Sequence, residues 1–157
     1  MPHTFTRALA DRLDCLSAIR VFEAADGMEV RSGEAAIAPG GRHLEIRQVG
    51  EHLRCRLSDS DKMNGHKPSA TVLFRSAAKL GQRVIGVIMT GMGNDGVEGL
   101  RMMKAAGATV VAQDESSSIV YGMPRAARDA GLVDHEAPLD RIVPLLTRIC
   151  MKGSGVR

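Results

Sequence analysis

The chain has 157 residues, of which 44% are hydrophobic and 25% charged, and its formal net charge is +3. This composition is typical of one globular domain and excludes a disordered or fibrous chain. It shows no apolar run of membrane-helix length, no signal-peptide pattern and no basic patch interleaved with aromatic residues, so we expect a cytoplasmic protein with no membrane insertion and no nucleic-acid partner.

The N-terminal part of the chain predicts one helix and two short strands. Apolar residues recur at 5, 9, 13 and 16, which predicts an amphipathic helix over 4–18 with Thr4 as its N-cap. The segments 19–23 and 34–38 are strand candidates, since turn residues separate and end them.

A hairpin is predicted next. Residues 43–57 alternate apolar and polar side chains around Gly50, as in an antiparallel pair of strands. The polar segment 58–68 predicts an exposed loop. A helix over 70–79 follows it.

The second half of the chain predicts a parallel strand–helix–strand unit. The continuous apolar run 84–89 is typical of a buried parallel strand, and a helical pattern follows over 97–106 with Gly107 as its C-cap. Residues 109–112 form the next strand, which a helical crossover makes parallel to the first.

Two further helices complete the predicted domain. Pro124 opens a short helix that ends near Gly131, the last helix covers 139–151, and 152–157 should fray. The pattern contains no repeat or linker and predicts a single α/β domain with a parallel core sheet and a small antiparallel hairpin.

The most informative segment is Thr90-Gly-Met-Gly-Asn-Asp-Gly96, between the predicted strand 84–89 and the predicted helix 97–106. Glycines permit a sharp turn there, and the turn places Asn94 and Asp95 at the carboxyl edge of the sheet. Open α/β folds bind their ligands at that edge.

One interpretation of this turn is a dinucleotide site, because Gly91-x-Gly93-x-x-Gly96 spells the fingerprint and Asp114 follows 18 residues later. Against it, the carboxylate of Asp95 would repel a pyrophosphate at the helix N-terminus. The motif also normally opens its domain, whereas here only one further strand is predicted after it. In addition, Met92 and Asn94 are bulky for a close backbone approach.

The other interpretation makes Asp95 the functional group. A carboxylate at a helix N-terminus accepts backbone hydrogen bonds and stays ionised. Such an aspartate suits the acid of a Ser-His-Asp triad, and it equally suits a plain helix cap. Residue spacing leaves both possibilities open.

Six segments together resemble the catalytic domain of the chemotaxis protein-glutamate methylesterase (CheB) family, in order and spacing, across nearly the whole chain. They are Phe5-Thr-Arg-Ala-Leu-Ala-Asp-Arg-Leu13, Ile37-Ala-Pro-Gly-Gly-Arg-His-Leu44, His66-Lys-Pro-Ser69 with Val72-Leu-Phe-Arg-Ser76, Thr90-Gly-Met-Gly-Asn-Asp-Gly96, Ala112-Gln-Asp-Glu115 and Tyr121-Gly-Met-Pro-Arg125.

The resemblance implies a three-layer (αβα), hydrolase-like domain with a Ser-His-Asp triad and no cofactor. It implies hydrolysis of glutamate 5-methyl esters on methyl-accepting chemotaxis receptors, and in some members deamidation of receptor glutamines. The family's triad acid falls on Asp95. The main-chain N–H of Met92 is the candidate contributor to an oxyanion hole.

The sequence departs from the family pattern at the positions of the other two triad members, the serine and the histidine. In the family the serine lies in a Gly-Ser/Thr-rich turn and the histidine in a Gln-His-Met-Pro-like segment, which would end about where Met1-Pro2 stand. We therefore expect 1–157 to be the C-terminal portion of a methylesterase domain, inactive unless its start is misplaced or a partner supplies the serine and the histidine. The alternative is a catalytically inactive remnant that acts as a receptor-binding module.

Other residues do not replace the missing pair. His3 lies beyond the position of the triad histidine, and no nucleophile-elbow pattern surrounds Ser117, so a substitute triad of Ser117 and His135 is rejected. Thr71 stands where family members usually carry an acidic residue.

The remaining histidines and the cysteines predict structural roles. We expect His43 and His66 to be structural, His52 to lie at the hairpin tip and His135 to be solvated. The three cysteines have no CxxC spacing and no metal-ligand pattern, which favours reduced thiols and predicts no metal.

Overall fold

A computed structural model describes residues 3–153, which form five helices, eight strands and one 3₁₀ segment. The helices are α1 His3–Leu16, α2 Ala70–Ala77, α3 Val97–Ala105, α4 Met123–Asp129 and α5 Leu139–Gly153, and the 3₁₀ segment is Ala78–Arg83. The strands are β1 Arg20–Glu23, β2 Glu29–Val30, β3 Glu34–Ile37, β4 His43–Val49, β5 His52–Ser58, β6 Ile85–Ile88, β7 Thr109–Gln113 and β8 His135–Ala137.

The strands form two parallel sheets and one antiparallel sheet. β6, β7 and β8 are parallel in that order, and β1 pairs in parallel with β3. β4 and β5 form the hairpin predicted around Gly50, with β2 added at its edge in the order β2-β5-β4. Parallel sheets with helical crossovers confirm the predicted α/β class.

The main core lies between α3, α4 and the sheet β6-β7-β8. Leu100 and Met103 of α3 pack there with Val110 and Ala112 of β7, all four fully or almost fully buried. Gly86 of β6 lets α3 approach closely, because a Cβ at this position would lie 2.7 Å from Leu100 Cδ2. The apolar run and the helical pattern around the glycine turn thus produce one packed β6–α3–β7 unit.

Helices α2 and α3 approach each other just as closely at Gly99. A Cβ on Gly99 would lie 2.6 Å from Phe74 Cβ and 2.7 Å from the carbonyl oxygen of Thr71. This contact brings the first turn of α2 beside the loop that precedes α3. It is the packing feature that positions the site.

Several predicted elements need correction. The helix α1 already includes Thr4, so Thr4 is not its N-cap, and its buried side chains are Thr6 and Ala10 rather than the exposed Phe5 and Leu16. The reason is that neighbouring elements, not hydrophobicity alone, select the face that a short helix buries.

Strands β2 and β8 were not predicted, because segments of two and three residues carry too little periodicity. Two strands therefore follow the glycine turn rather than one. The predicted strand 84–89 is shorter, at Ile85–Ile88, and only half of it is buried: Gly86 and Ile88 are covered while Ile85 and Val87 are partly exposed.

Of the C-terminal segment 152–157, the structure describes only residues 152 and 153. Residues 152 and 153 belong to α5, and the expected fraying of 154–157 lies outside the described residues. Across residues 3–153, no helix combines the length and the apolar character that crossing a membrane requires.

Candidate active site

Asp95 lies at the carboxyl end of β6, and its carboxylate turns toward the N-terminus of α2. Asp95 Oδ1 accepts hydrogen bonds from Ser69 Oγ at 2.6 Å and from the Thr71 N–H at 3.1 Å. Asp95 Oδ2 accepts one from the Ala70 N–H at 2.7 Å. The side chain is therefore fixed by three donors, all within one helical turn.

The first N–H groups of a helix have no partner inside the helix, which is why they bind an anion here. Ser69 is the N-cap of α2, and its hydroxyl accepts from the Thr71 N–H at 3.2 Å. The loop and helix are joined a second time where the Gly96 N–H donates to Thr71 Oγ1 at 2.8 Å. The residues 69–71 and 95–96 thus form one buried hydrogen-bonded cluster.

The capping role that the sequence suggests for Asp95 is real, but the helix is a different one. The sequence predicts Asp95 at the N-terminus of the helix that follows it, α3. The N-cap of α3 is instead Gly96, in the left-handed region at φ 97°, with no side-chain cap. This backbone conformation turns the carboxylate away from α3 and toward α2.

Two opposing effects set the pKa of Asp95. Burial is the largest and favours the neutral acid, since Asp95 is only 7% exposed. The hydrogen bonds from Ser69, Ala70 and Thr71 favour the carboxylate and together outweigh burial, so the pKa lies below its ordinary value. The group is ionised at neutral pH, and Oδ2, with one donor, can accept another hydrogen bond.

A second buried side chain contacts the same turn. His43, the first residue of β4, is fully buried, and its Nδ1 lies 3.2 Å from the Ser69 nitrogen. Its Nε2 lies 3.0 Å from the carbonyl oxygen of Asp61. The prediction that His43 is structural agrees with this placement.

Gly91 of the turn packs closely against Met123 of α4. A Cβ on Gly91 would lie 2.5 Å from Met123 Sδ, and the Gly91 carbonyl accepts from the N–H groups of Gly122 and Met123. Asp114, the candidate ribose ligand of a dinucleotide site, accepts hydrogen bonds from Ser116 and Ser117. Gly91 is therefore required by its contact with Met123, and the Asp114 carboxylate is engaged within its own turn.

Met92 is at the tip of the same turn. Its side chain is 82% exposed, and within residues 3–153 its main-chain N–H donates to no acceptor.

Ser117 and His135 do not form a catalytic pair. Ser117 Oγ donates to Asp114 Oδ1 at 2.6 Å and accepts from Gln113 Nε2 and the Leu139 N–H. His135 is exposed in β8 and makes no hydrogen bond to Ser117 in the described part of the chain. The hydroxyl is fully used in holding a turn.

The remaining candidate histidines and the three cysteines lie in other parts of the fold. His52 begins β5 at the hairpin tip and contacts Glu29, whereas His66 lies in the exposed loop. Cys15, Cys55 and Cys150 are free thiols, and among the described residues no group of three His, Cys, Asp or Glu side chains could hold a metal ion.

Ser69, Thr71 and His43 belong to the site, and the sequence did not indicate that they contact Asp95 or its partners. The one available signal was local: a serine followed by a helical pattern is an N-cap pattern, which marks Ser69 as the start of α2. Nothing local links it to Asp95, 26 residues later.

Comparisons with known proteins agree on one family. A family model described as CheB methylesterase matches residues 1–146. A protein-glutamate methylesterase/protein-glutamine glutaminase of Anaeromyxobacter dehalogenans is 50% identical over 151 residues, covering 96% of this chain and 42% of that protein. One from Photorhabdus laumondii is 45% identical over 158 residues, covering 100% of this chain and 45% of that protein.

A solved structure agrees as well. The crystal structure of the Thermotoga maritima CheB methylesterase catalytic domain has a TM-score of 0.91 and 38% identity, over 95% of this chain and 79% of that one. The chain spans less than half the length of the two curated relatives.

Proposed function

Because this chain belongs to the CheB methylesterase family of hydrolases, we propose that it acts in the hydrolysis of glutamate 5-methyl esters on methyl-accepting chemotaxis receptors, with Asp95 as the acid of a Ser-His-Asp triad. The observation that carries the proposal is the environment of Asp95. A buried carboxylate is held ionised by three donors, and one of its oxygens keeps an acceptor site.

The proposed chemistry is acyl transfer. A serine hydroxyl attacks the ester carbonyl while a histidine takes its proton, and Asp95 orients that histidine and stabilises its imidazolium form. The histidine then protonates the leaving methoxide, which departs as methanol. Water hydrolyses the acyl-enzyme by the same steps in reverse order and leaves a free glutamate. Attack on a glutamine amide follows the same route and releases ammonia.

Residues outside 1–157 supply the serine and the histidine in this proposal. In support, no histidine nitrogen among residues 4–151 is hydrogen-bonded to Asp95, and the chain covers less than half of its curated relatives. Asp95 Oδ2, which has one donor, is the oxygen that would accept the histidine N–H. The Met92 N–H, at the tip of the same turn, would donate to the oxyanion.

The test is Asp95→Asn in the protein expressed from its native gene, assayed on methylated receptor. We expect kcat to fall by roughly 10³- to 10⁴-fold. The side-chain amide of the new asparagine favours the histidine tautomer that cannot take the proton of the serine. Asp134→Asn is the matched control, because Asp134 also accepts a backbone N–H but lies at the opposite, amino end of β8. Unchanged kcat in Asp95→Asn would leave Asp95 as a helix cap alone.

A further inference from the structure

His43 has both ring nitrogens facing backbone groups whose roles are fixed. The Ser69 N–H can only donate, so His43 Nδ1 must accept it. The Asp61 carbonyl can only accept, so His43 Nε2 must carry the proton. These two partners define a neutral imidazole with its proton on Nε2.

Ser69 links this imidazole to Asp95. Its N–H donates to His43, while its hydroxyl donates to Asp95 Oδ1 at 2.6 Å. All four groups are buried: His43 is 0% exposed, Ser69 3%, Thr71 1% and Asp95 7%. Solvent therefore cannot replace a lost partner at low cost.

We propose that His43 is a positioning residue for Asp95, acting through Ser69 and the first turn of α2. The inference rests on the proposed role of Asp95 as triad acid. The three donors that orient Asp95 all come from residues 69–71, so the orientation of the carboxylate follows the orientation of that turn. His43, the first residue of β4, holds the same turn through the Ser69 N–H.

Loss of the acceptor on Nδ1 has a defined consequence. The buried Ser69 N–H would then lack a partner, and the turn would shift to find one. That shift displaces the Ser69 hydroxyl and the Ala70 and Thr71 N–H groups relative to Asp95. A displacement of about 1 Å in a catalytic group can cost on the order of 100-fold in rate.

Two substitutions separate positioning from packing. In His43→Asn, the Oδ1 atom can occupy the place of Nδ1 and accept the Ser69 N–H, although the bond to Asp61 is lost. In His43→Gln, the side-chain amide can donate to Asp61, but no acceptor faces Ser69. Both variants remove ring volume from the same buried site, so thermal melts should show similar losses of stability.

We expect His43→Gln to lower kcat by about 10- to 100-fold with KM nearly unchanged, and His43→Asn to retain kcat within about threefold. Equal kcat in the two variants, in a protein where Asp95→Asn shows its large loss, would overturn the role of His43 and leave the proposed function intact. An Asp95→Asn variant with normal kcat would overturn both.

A measurement on the unsubstituted protein covers the case in which the variants do not fold. Nitrogen-15 NMR of the His43 ring at neutral pH should show a protonated Nε2 and an unprotonated Nδ1. A proton on Nδ1 would overturn the proposal, because that nitrogen could no longer accept the Ser69 N–H.

Discussion

The hydroxyl of Ser69 donates a hydrogen bond of 2.6 Å to Asp95 Oδ1, which joins the N-cap of α2 to a loop 26 residues later in the chain. A single serine thus caps the N-terminus of α2 and fixes the carboxylate that we propose as the triad acid. The stability of α2 and the geometry of the site are coupled through this contact.

Ser69→Ala should reduce both stability and activity. It removes the N-cap of α2, which costs about 0.5–2 kcal/mol of unfolding free energy, and it removes one of the three donors to Asp95. We expect kcat to fall about tenfold. Urea denaturation and receptor demethylation assays measure the two effects.

Ser76→Ala is the matched control for this prediction. Ser76 is also buried on α2, but its hydroxyl accepts from the Ile46 N–H and donates to the Leu73 carbonyl at the other end of the helix. We expect a comparable loss of stability with near-normal kcat. A similar kcat loss in both variants would attribute the effect to helix stability alone.

Gly99→Ala should separate α2 from α3. The new Cβ would lie 2.6 Å from Phe74 Cβ and 2.7 Å from the Thr71 carbonyl oxygen, so the helices must move apart. We expect an overpacking cost of about 1–3 kcal/mol and a lower kcat, because Thr71 moves relative to Asp95. Glu98→Ala, at an exposed neighbouring position, should change neither quantity appreciably. If Gly99→Ala has the unfolding free energy of the unsubstituted protein, the two helices accommodate the added methyl group and the prediction is contradicted.

Stability should fall in acid partly because of Asp95. Its folded-state pKa lies below the unfolded value of about 3.9, since the hydrogen bonds to α2 outweigh the larger single effect of burial. The stabilisation is therefore complete above about pH 5 and is lost as the pH falls through the folded-state pKa. Asp95→Asn should show a shallower decline in unfolding free energy below about pH 4, measured by urea titration. If the unfolding free energies of the unsubstituted protein and of Asp95→Asn decline equally with falling pH, the lowered pKa assigned to Asp95 is contradicted.

Ser117→Ala should leave receptor demethylation unchanged. Its hydroxyl is hydrogen-bonded to Asp114, Gln113 and Leu139, so the substitution should cost about 1 kcal/mol of stability and no activity.

A polypeptide of residues 1–157 alone should show no turnover of methylated receptor. Turnover by that polypeptide, abolished by Ser117→Ala, would establish the substitute triad that we reject.

The sequence predicts secondary-structure elements best where the signal comes from neighbouring residues. The run of apolar residues before Thr90 predicted β6, Gly107 marked the end of α3 with φ 85°, and Pro124 lies in the first turn of α4. Each of these signals depends on residues within one or two turns of chain, which periodicity and backbone preference describe directly. Short elements without such periodicity, β2 and β8, were missed.

By itself the sequence determined the α/β class, the glycine turn after β6 and the placement of Asp95 at the carboxyl edge of the sheet. Only the tertiary structure decided which helix Asp95 contacts, and it is α2 rather than the adjacent α3. That choice depends on the close approach of the two helices at Gly99 and on the left-handed backbone of Gly96. Hydrogen bonds that span 24 to 26 residues are fixed by how packed elements meet in space, and no local pattern encodes them.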